Sequence, residues 1–94
     1  MPPSTQDLPI GHFYDAETPI HSSTELGAVI REQRKRLALK QLDLAGLGNT
    51  GNRFIVDLEN GKPTVQLQKV LDLMDLLGLE VVVRTKASRS ASSQ

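Results

Sequence analysis

"KQLDLAGLGNTGNRFIVDLENGK", residues 40–62, decides the fold. It reads as two short helices separated by a tight turn. The first runs through "KQLDLAGLG", with Leu42 and Ala45 inward and Leu44 and Leu47 as further candidates for that face. "GLGNTG" ends it, because Gly48 and Asn49 both tolerate the left-handed backbone that a sharp helix-to-helix turn requires. The second runs from about Gly51 to Glu59 and puts Phe54, Ile55 and Leu58 on one side, and Asn60 and Gly61 stop it. Asn52, Arg53, Val56 and Asp57 lie opposite and face outward.

The flanks supply two more helices. Upstream, "SSTELGAVIREQRKRL" opens with Ser22 and Glu25 at capping-box spacing, so each side chain can satisfy a free backbone donor of the first turn. Leu26, Val29, Ile30 and Leu37 repeat at helical spacing and define a buried stripe, which Arg34 interrupts. Downstream, Pro63 and Thr64 start a helix whose core stripe is Leu67, Val70, Leu71, Met74 and Leu77, with Gly78 as its stop. Leu73 and Leu76 widen that apolar face. Two short helices with a tight turn, the second polar on its outer side, make a helix-turn-helix pattern.

"LEVVVRT", Leu79 to Thr85, is different: Leu79, Val81 and Val83 alternate with Glu80, Val82 and Arg84, and β-branched residues dominate. It reads as one isolated strand. A lone strand leaves a row of unpaired backbone groups, and the simplest mate is the same strand of a second copy. Leu79, Val81, Val82 and Val83 are therefore the expected dimerisation residues. The organisation that follows is a flexible N-terminal tail over 1–22, a helical domain over 23–78, a dimerisation strand over 79–85 and a disordered polar tail over 86–94.

Composition narrows the function. A chain of 94 residues holds one small domain that buries a modest share of its surface, so a partner subunit would help it. Cysteine is absent, which removes disulfides, thiolate metal sites and a cysteine nucleophile, and suits a reducing, cytoplasmic setting. No segment approaches the roughly 20 apolar residues of a membrane span, and the start lacks the form of a secretory signal. The N-terminal tail holds four of the five prolines, with Phe13 and Tyr14 as aromatics that could dock on this domain or a partner. His12 and His21 share it with Asp15 and Glu17 at irregular spacing, which argues against a metal site. No phosphate loop and no nucleophile–base constellation stands out, so an enzyme and a cofactor are not expected.

Eleven basic and eleven acidic residues give a net charge of zero, which at first disfavours a nucleic-acid partner. Distribution reverses that reading. Arg31, Arg34, Lys35, Arg36 and Lys40 cluster, and Arg84, Lys86 and Arg89 gather near the end, while Asp7, Asp15 and Glu17 make the first tail acidic. Arg34 and Glu59 each place a charge on an apolar stripe, one on the first helix and one on the third. A buried charge needs a partner, and pairing them satisfies both.

Across Leu26 to Leu77, "RKRLALKQLDLA", then "FIVDLENGK", then a leucine-rich helix ending "LLGL" resembles the Cro/C1 (XRE) type of helix-turn-helix repressor domain. Within that class, "NRFIVDLENGKPT", the leucine-rich helix and "GLEVVVR" are most similar to the HipB-type antitoxins. The resemblance implies a mainly α, lambda repressor-like fold with a C-terminal strand for intersubunit pairing. It also implies a dimer that binds double-stranded operator DNA, represses its own operon and binds a HipA-like serine/threonine kinase toxin. Two departures stand out. Lys40 precedes Gln41 where a Ser or Thr cap is usual, and Asn49 stands where glycine is common.

The same resemblance makes the third helix the recognition helix, with its first turn at base edges in the major groove. Arg53 could reach guanine O6 and N7 and Asn52 adenine N6 and N7. Asp57 could accept from cytosine N4, but an i,i+4 pair with Arg53 is the more economical role. Gln41 matches a phosphate-contacting position of the family, and Arg34–Glu59 matches a buried ion pair of lambdoid repressors. Asn60 and Lys62, just past the third helix, look like further phosphate contacts, with a helix stop and a solvated lysine as the alternative roles. Two other functions fit the residues: a free-standing regulator of this fold without a toxin, and a protein-binding adaptor that uses the leucine face with Phe13 and Tyr14.

Overall fold

The computed structural model describes residues 17–86, and within them the chain forms four helices: α1 (Ser23–Arg36), α2 (Gln41–Leu47), α3 (Asn52–Glu59) and α4 (Leu67–Leu76). Phe13, Tyr14, His12 and the last residues of the C-terminal tail lie outside the described residues. The fold is mainly α. No helix among the described residues is long and apolar enough to cross a membrane.

Ser22 starts α1 by accepting the Glu25 backbone N–H at its hydroxyl, 3.1 Å away. The return half of the box is displaced by one residue: the Glu25 carboxylate accepts from the His21 N–H, not from Ser22. At α2 the cap residue is Lys40, whose side chain has no acceptor to offer. Asp43 supplies the missing half, its carboxylate accepting the Lys40 N–H at 2.8 Å.

All four helices end in the same way. The residue after each C-cap takes a left-handed conformation: Ala38 (φ 61°), Asn49 (φ 53°), Gly61 (φ 85°) and Gly78 (φ 76°). In each case the next residue's N–H reaches back to a carbonyl five positions earlier: Leu39 to Arg34, Thr50 to Ala45, Lys62 to Asp57 and Leu79 to Met74, at 2.8–3.1 Å. These are Schellman turns, which satisfy the last carbonyls of a helix and reverse the chain at once. The first two leave only residues 37–40 and 48–51 before the next helix begins. In the turn of the α2–α3 pair it is Asn49, not Gly48, that takes the left-handed position, since Gly48 has φ −85°.

Ile30, Leu44, Ala45, Ile55, Leu58, Val70, Leu73, Met74 and Leu77 form the core, with Leu26, Leu39, Phe54, Val65 and Leu79 packed around it. Several sequence expectations shift. Leu37 is exposed because α1 ends at Arg36, and Gln33 takes the buried place on that stripe. Gln33 remains satisfied there by donating its amide to the Leu77 carbonyl at 2.9 Å. On α2, Leu44 and Ala45 point inward while Leu42 and Leu47 are 69% and 61% exposed. Pro63 and Thr64 lie in a turn and α4 begins only at Leu67, which is itself exposed. Leu73 belongs to the core rather than to its margin.

Two glycines set how closely α1 meets the end of α3. A Cβ on Gly27 would lie 2.8 Å from the Glu59 carbonyl oxygen and closer still to that of Leu58, so only glycine fits. One on Gly61 would come within 2.7 Å of the Thr24 Cα, and the Ser23 hydroxyl donates to the Gly61 carbonyl at 2.7 Å.

Residues 79–85 form no strand within the described chain. Leu79 is half-buried against the core, whereas Val81, Val82 and Val83 are exposed, Val83 almost entirely. Arg84 pairs with Glu17 at 2.9 Å, which ties the end of the N-terminal segment to this stretch.

Candidate nucleic-acid interface

The turn from Gly48 to Gly51 sets α3 across α2, and α3 packs against both α1 and α2. Ile55 and Leu58 are its buried underside. Phe54 is half-buried, with the Lys69 ammonium 5.6 Å from its ring centroid. Asn52 and Arg53 stand exposed at the start of the helix, with Val56 and Asp57 half-buried one turn on. Asn60 caps the far end, and it and Lys62 are exposed.

A buried polar network holds this helix in place. The Arg34 Nε donates to Glu59 Oε2 at 2.6 Å and its Nη2 to Oε1 at 3.0 Å, with the two side chains only 8% and 2% exposed. The remaining Nη1 donates to the Leu39 carbonyl at 2.7 Å. One guanidinium thus joins α1, the α1–α2 connection and the end of α3 through the planar fork that suits arginine to this task. Gln41 enters the same network: its amide nitrogen donates to Glu59 Oε1 at 3.0 Å. The side chain that sequence reasoning places on a phosphate is therefore also a tie between α2 and α3. That second role was not legible, because nothing local to Gln41 reveals that Glu59 lies beside it.

A shallow groove opens next to this network, between the start of α2 and the end of α3, lined by Arg31, Lys40, Gln41, Val56 and Asn60 above Arg34, Leu39 and Glu59. Its rim is basic. Arg31 and Lys40 are exposed on one side, and Lys62 stands just past α3. Arg53 is 86% exposed at its side chain and ion-pairs through Nε with Asp57 Oδ1 at 3.3 Å. The other Asp57 oxygen accepts from the Lys62 ammonium at 3.5 Å. Sequence spacing suggests the first of these contacts; the second depends on the Schellman turn at Gly61, which folds Lys62 back toward α3. Among the described residues no group of His, Cys, Asp or Glu is placed to hold a metal ion.

The structure thus brings Gln41, Val56 and Asn60 to one groove and Arg53, Asp57 and Lys62 to one ionic cluster beside it. Leu79, Val81, Val82 and Val83 form a separate apolar stretch.

The backbone is similar in fold to solved HipB chains. It superposes with a TM-score of 0.67 on the chain of a HipB–O4 20mer complex, at 20% identity, covering 73% of this chain and 97% of that one. It superposes with a TM-score of 0.68 on a chain of a HipA–HipB–O2–O3 complex, again at 20% identity over 73% of this chain and 97% of that one. No family model matches the sequence. A closer sequence relative is the uncharacterized HTH-type transcriptional regulator y4mF of Sinorhizobium fredii, 43% identical over 70 residues, which span 74% of this chain and 92% of the relative. Identity at that level over about three quarters of this chain and nearly all of the relative shows the family: the chain belongs to the HTH-type transcriptional regulators.

Proposed function

We propose that this regulator is a homodimeric, sequence-specific DNA-binding repressor that serves as the antitoxin of a type II toxin–antitoxin operon. In this reading it neutralises a HipA-like serine/threonine kinase toxin, represses its own promoter and works in the cytoplasm without enzymatic activity of its own. The observation that carries the reading is the exposed Asn52–Arg53 edge of α3, presented on a backbone that shares the fold of HipB chains. Arg53 and Asn52 read base edges. Val56 lies against the groove floor, and Gln41, Asn60 and Lys62 hold phosphates on either side.

Two copies are needed, because one recognition helix covers only a half-site and a twofold axis brings a second helix into the next major groove. Leu79, Val81, Val82 and Val83 supply that axis by pairing with their counterparts in the partner. The exposure of three consecutive valines in one copy supports this, since covering them removes apolar surface from water.

The test is a gel shift on the duplex upstream of the gene, run at several salt concentrations, with a pull-down against the product of the adjacent reading frame. A salt-sensitive, selective complex and capture of a kinase-like protein are expected. No selective complex would overturn the DNA-binding reading. Selective DNA binding with no kinase-like neighbour favours a free-standing regulator, a reading to which the naming of the 43%-identical relative as a transcriptional regulator lends weight.

A further inference from the structure

Asp57 is the unexpected member of the DNA-facing side, because it puts a carboxylate where phosphates approach. Its position is not idle. Its two oxygens are divided between two cations, Oδ1 to Arg53 at 3.3 Å and Oδ2 to Lys62 at 3.5 Å. It is the least exposed of the three, at 21% against 86% for Arg53 and 52% for Lys62. Asp57 is therefore the fixed post, and the two long side chains gather on it. Among the described residues Asp57 is the sole ionic or hydrogen-bonding side-chain partner of Arg53.

We propose that Asp57 is a specificity-determining positioning residue: it orients Arg53 for base reading and withholds Arg53 from indiscriminate phosphate binding. This inference rests on the DNA-binding reading above. The physical reasons are two. An unrestrained arginine at the head of α3 can reach any nearby phosphate, a contact that is independent of sequence and carries no discrimination. An arginine held along its Nε edge keeps its outer nitrogens for a paired contact with guanine O6 and N7. The carboxylate also cancels one of the two positive charges of the cluster, which lowers attraction to DNA of any sequence. At a cognate site the Arg53–guanine contact offsets that loss. Elsewhere nothing does, so Asp57 widens the gap between cognate and random DNA.

Asp57→Asn is nearly isosteric and leaves the backbone carbonyl that accepts the Lys62 N–H at 2.9 Å. The probes are a duplex enriched from a random library by the wild-type protein and a scrambled duplex of equal length. Their dissociation constants are measured by fluorescence anisotropy over a salt series, with circular dichroism as the folding control. Asp57→Asn is expected to bind scrambled DNA about three- to tenfold more tightly, with a salt slope steeper by up to about one. The cognate-to-scrambled ratio falls by about tenfold. Asp57→Glu, which keeps the charge, restores part of the ratio. In an Arg53→Gln background, Asp57→Asn causes little further loss of the ratio, an outcome that a purely structural role for Asp57 does not give.

An unchanged ratio in a folded Asp57→Asn protein overturns the proposal. So does a loss confined to duplexes with cytosine at one position, which assigns Asp57 to direct reading instead. If the wild type enriches no sequence at all, the DNA-binding reading fails and this inference with it; selective wild-type binding keeps the two failures distinct.

Discussion

Arg34→Met removes the guanidinium that serves both Glu59 and the Leu39 carbonyl. Among the described residues, the Glu59 side chain, 2% exposed, is then left with the Gln41 amide. Breaking one side of a buried ion pair costs about 3–5 kcal/mol, because the surviving charge is neither paired nor hydrated. The Leu39 carbonyl adds about 1 kcal/mol for its lost donor. Against a total stability on the order of 5–10 kcal/mol for a chain of this size, the variant sits close to unfolding. Urea denaturation followed by circular dichroism, at one fixed protein concentration, reads the effect. With a slope of about 1 kcal/mol per molar urea, the midpoint should fall by about 3 M or more. Arg34→Met combined with Glu59→Leu provides the internal check. Replacing both charges by apolar groups should recover most of the loss and give a coupling of at least about 2 kcal/mol. A cost below about 1 kcal/mol for the single change, or additive costs in the double, would refute the claim that this network anchors α3.

Three further outcomes follow from the packing and the chain ends. Gly27→Ala should destabilise by about 1–3 kcal/mol, since its Cβ would meet the Leu58 and Glu59 carbonyls; an unchanged melting temperature would show that α1 and α3 separate freely. Ala38→Gly should stabilise by about 0.5–1 kcal/mol, because glycine relieves the left-handed strain at φ 61° while giving part of the gain back to the unfolded chain. A lower urea midpoint would contradict that. Val82→Pro should turn dimer into monomer in sedimentation velocity by breaking the proposed intersubunit ladder, and persisting dimers would locate the interface elsewhere.

The parts of the fold that were legible share one property: their signal is local. Ser22 as a cap, Gly61 and Gly78 as stops, and the apolar underside of α3 all depend on residues within one turn of each other. Arg34 and Glu59 were legible for a related reason, since a charge on an apolar stripe declares a need that only a distant opposite charge can meet. The face of α2 was not. With leucines at 42, 44 and 47 on a helix of seven residues, the sequence has no single stripe, and packing against Ile55 and Leu58 decides that Leu44 and Ala45 go in. Leu37 misled because it continues the stripe in sequence although the helix has ended. Ala38 gave no sign of its left-handed backbone, which the Schellman turn imposes so that Leu39 can fold back onto the core. At the candidate interface, the outward residues of α3 could be read from periodicity, whereas the Gln41–Glu59 bond and the Lys62–Asp57 contact needed the tertiary path of the chain.

Arg53→Ala on the duplex upstream of the gene tests the central claim most directly. Arg53 is 86% exposed and its ion pair with Asp57 lies on the surface, so the variant should keep its fold. Fluorescence anisotropy against the cognate and a scrambled duplex should show discrimination reduced by about 1–3 kcal/mol, a factor of about 5–150. A folded Arg53→Ala protein that binds the cognate duplex as tightly and as selectively as the wild type would contradict the assignment of α3 as the reading helix.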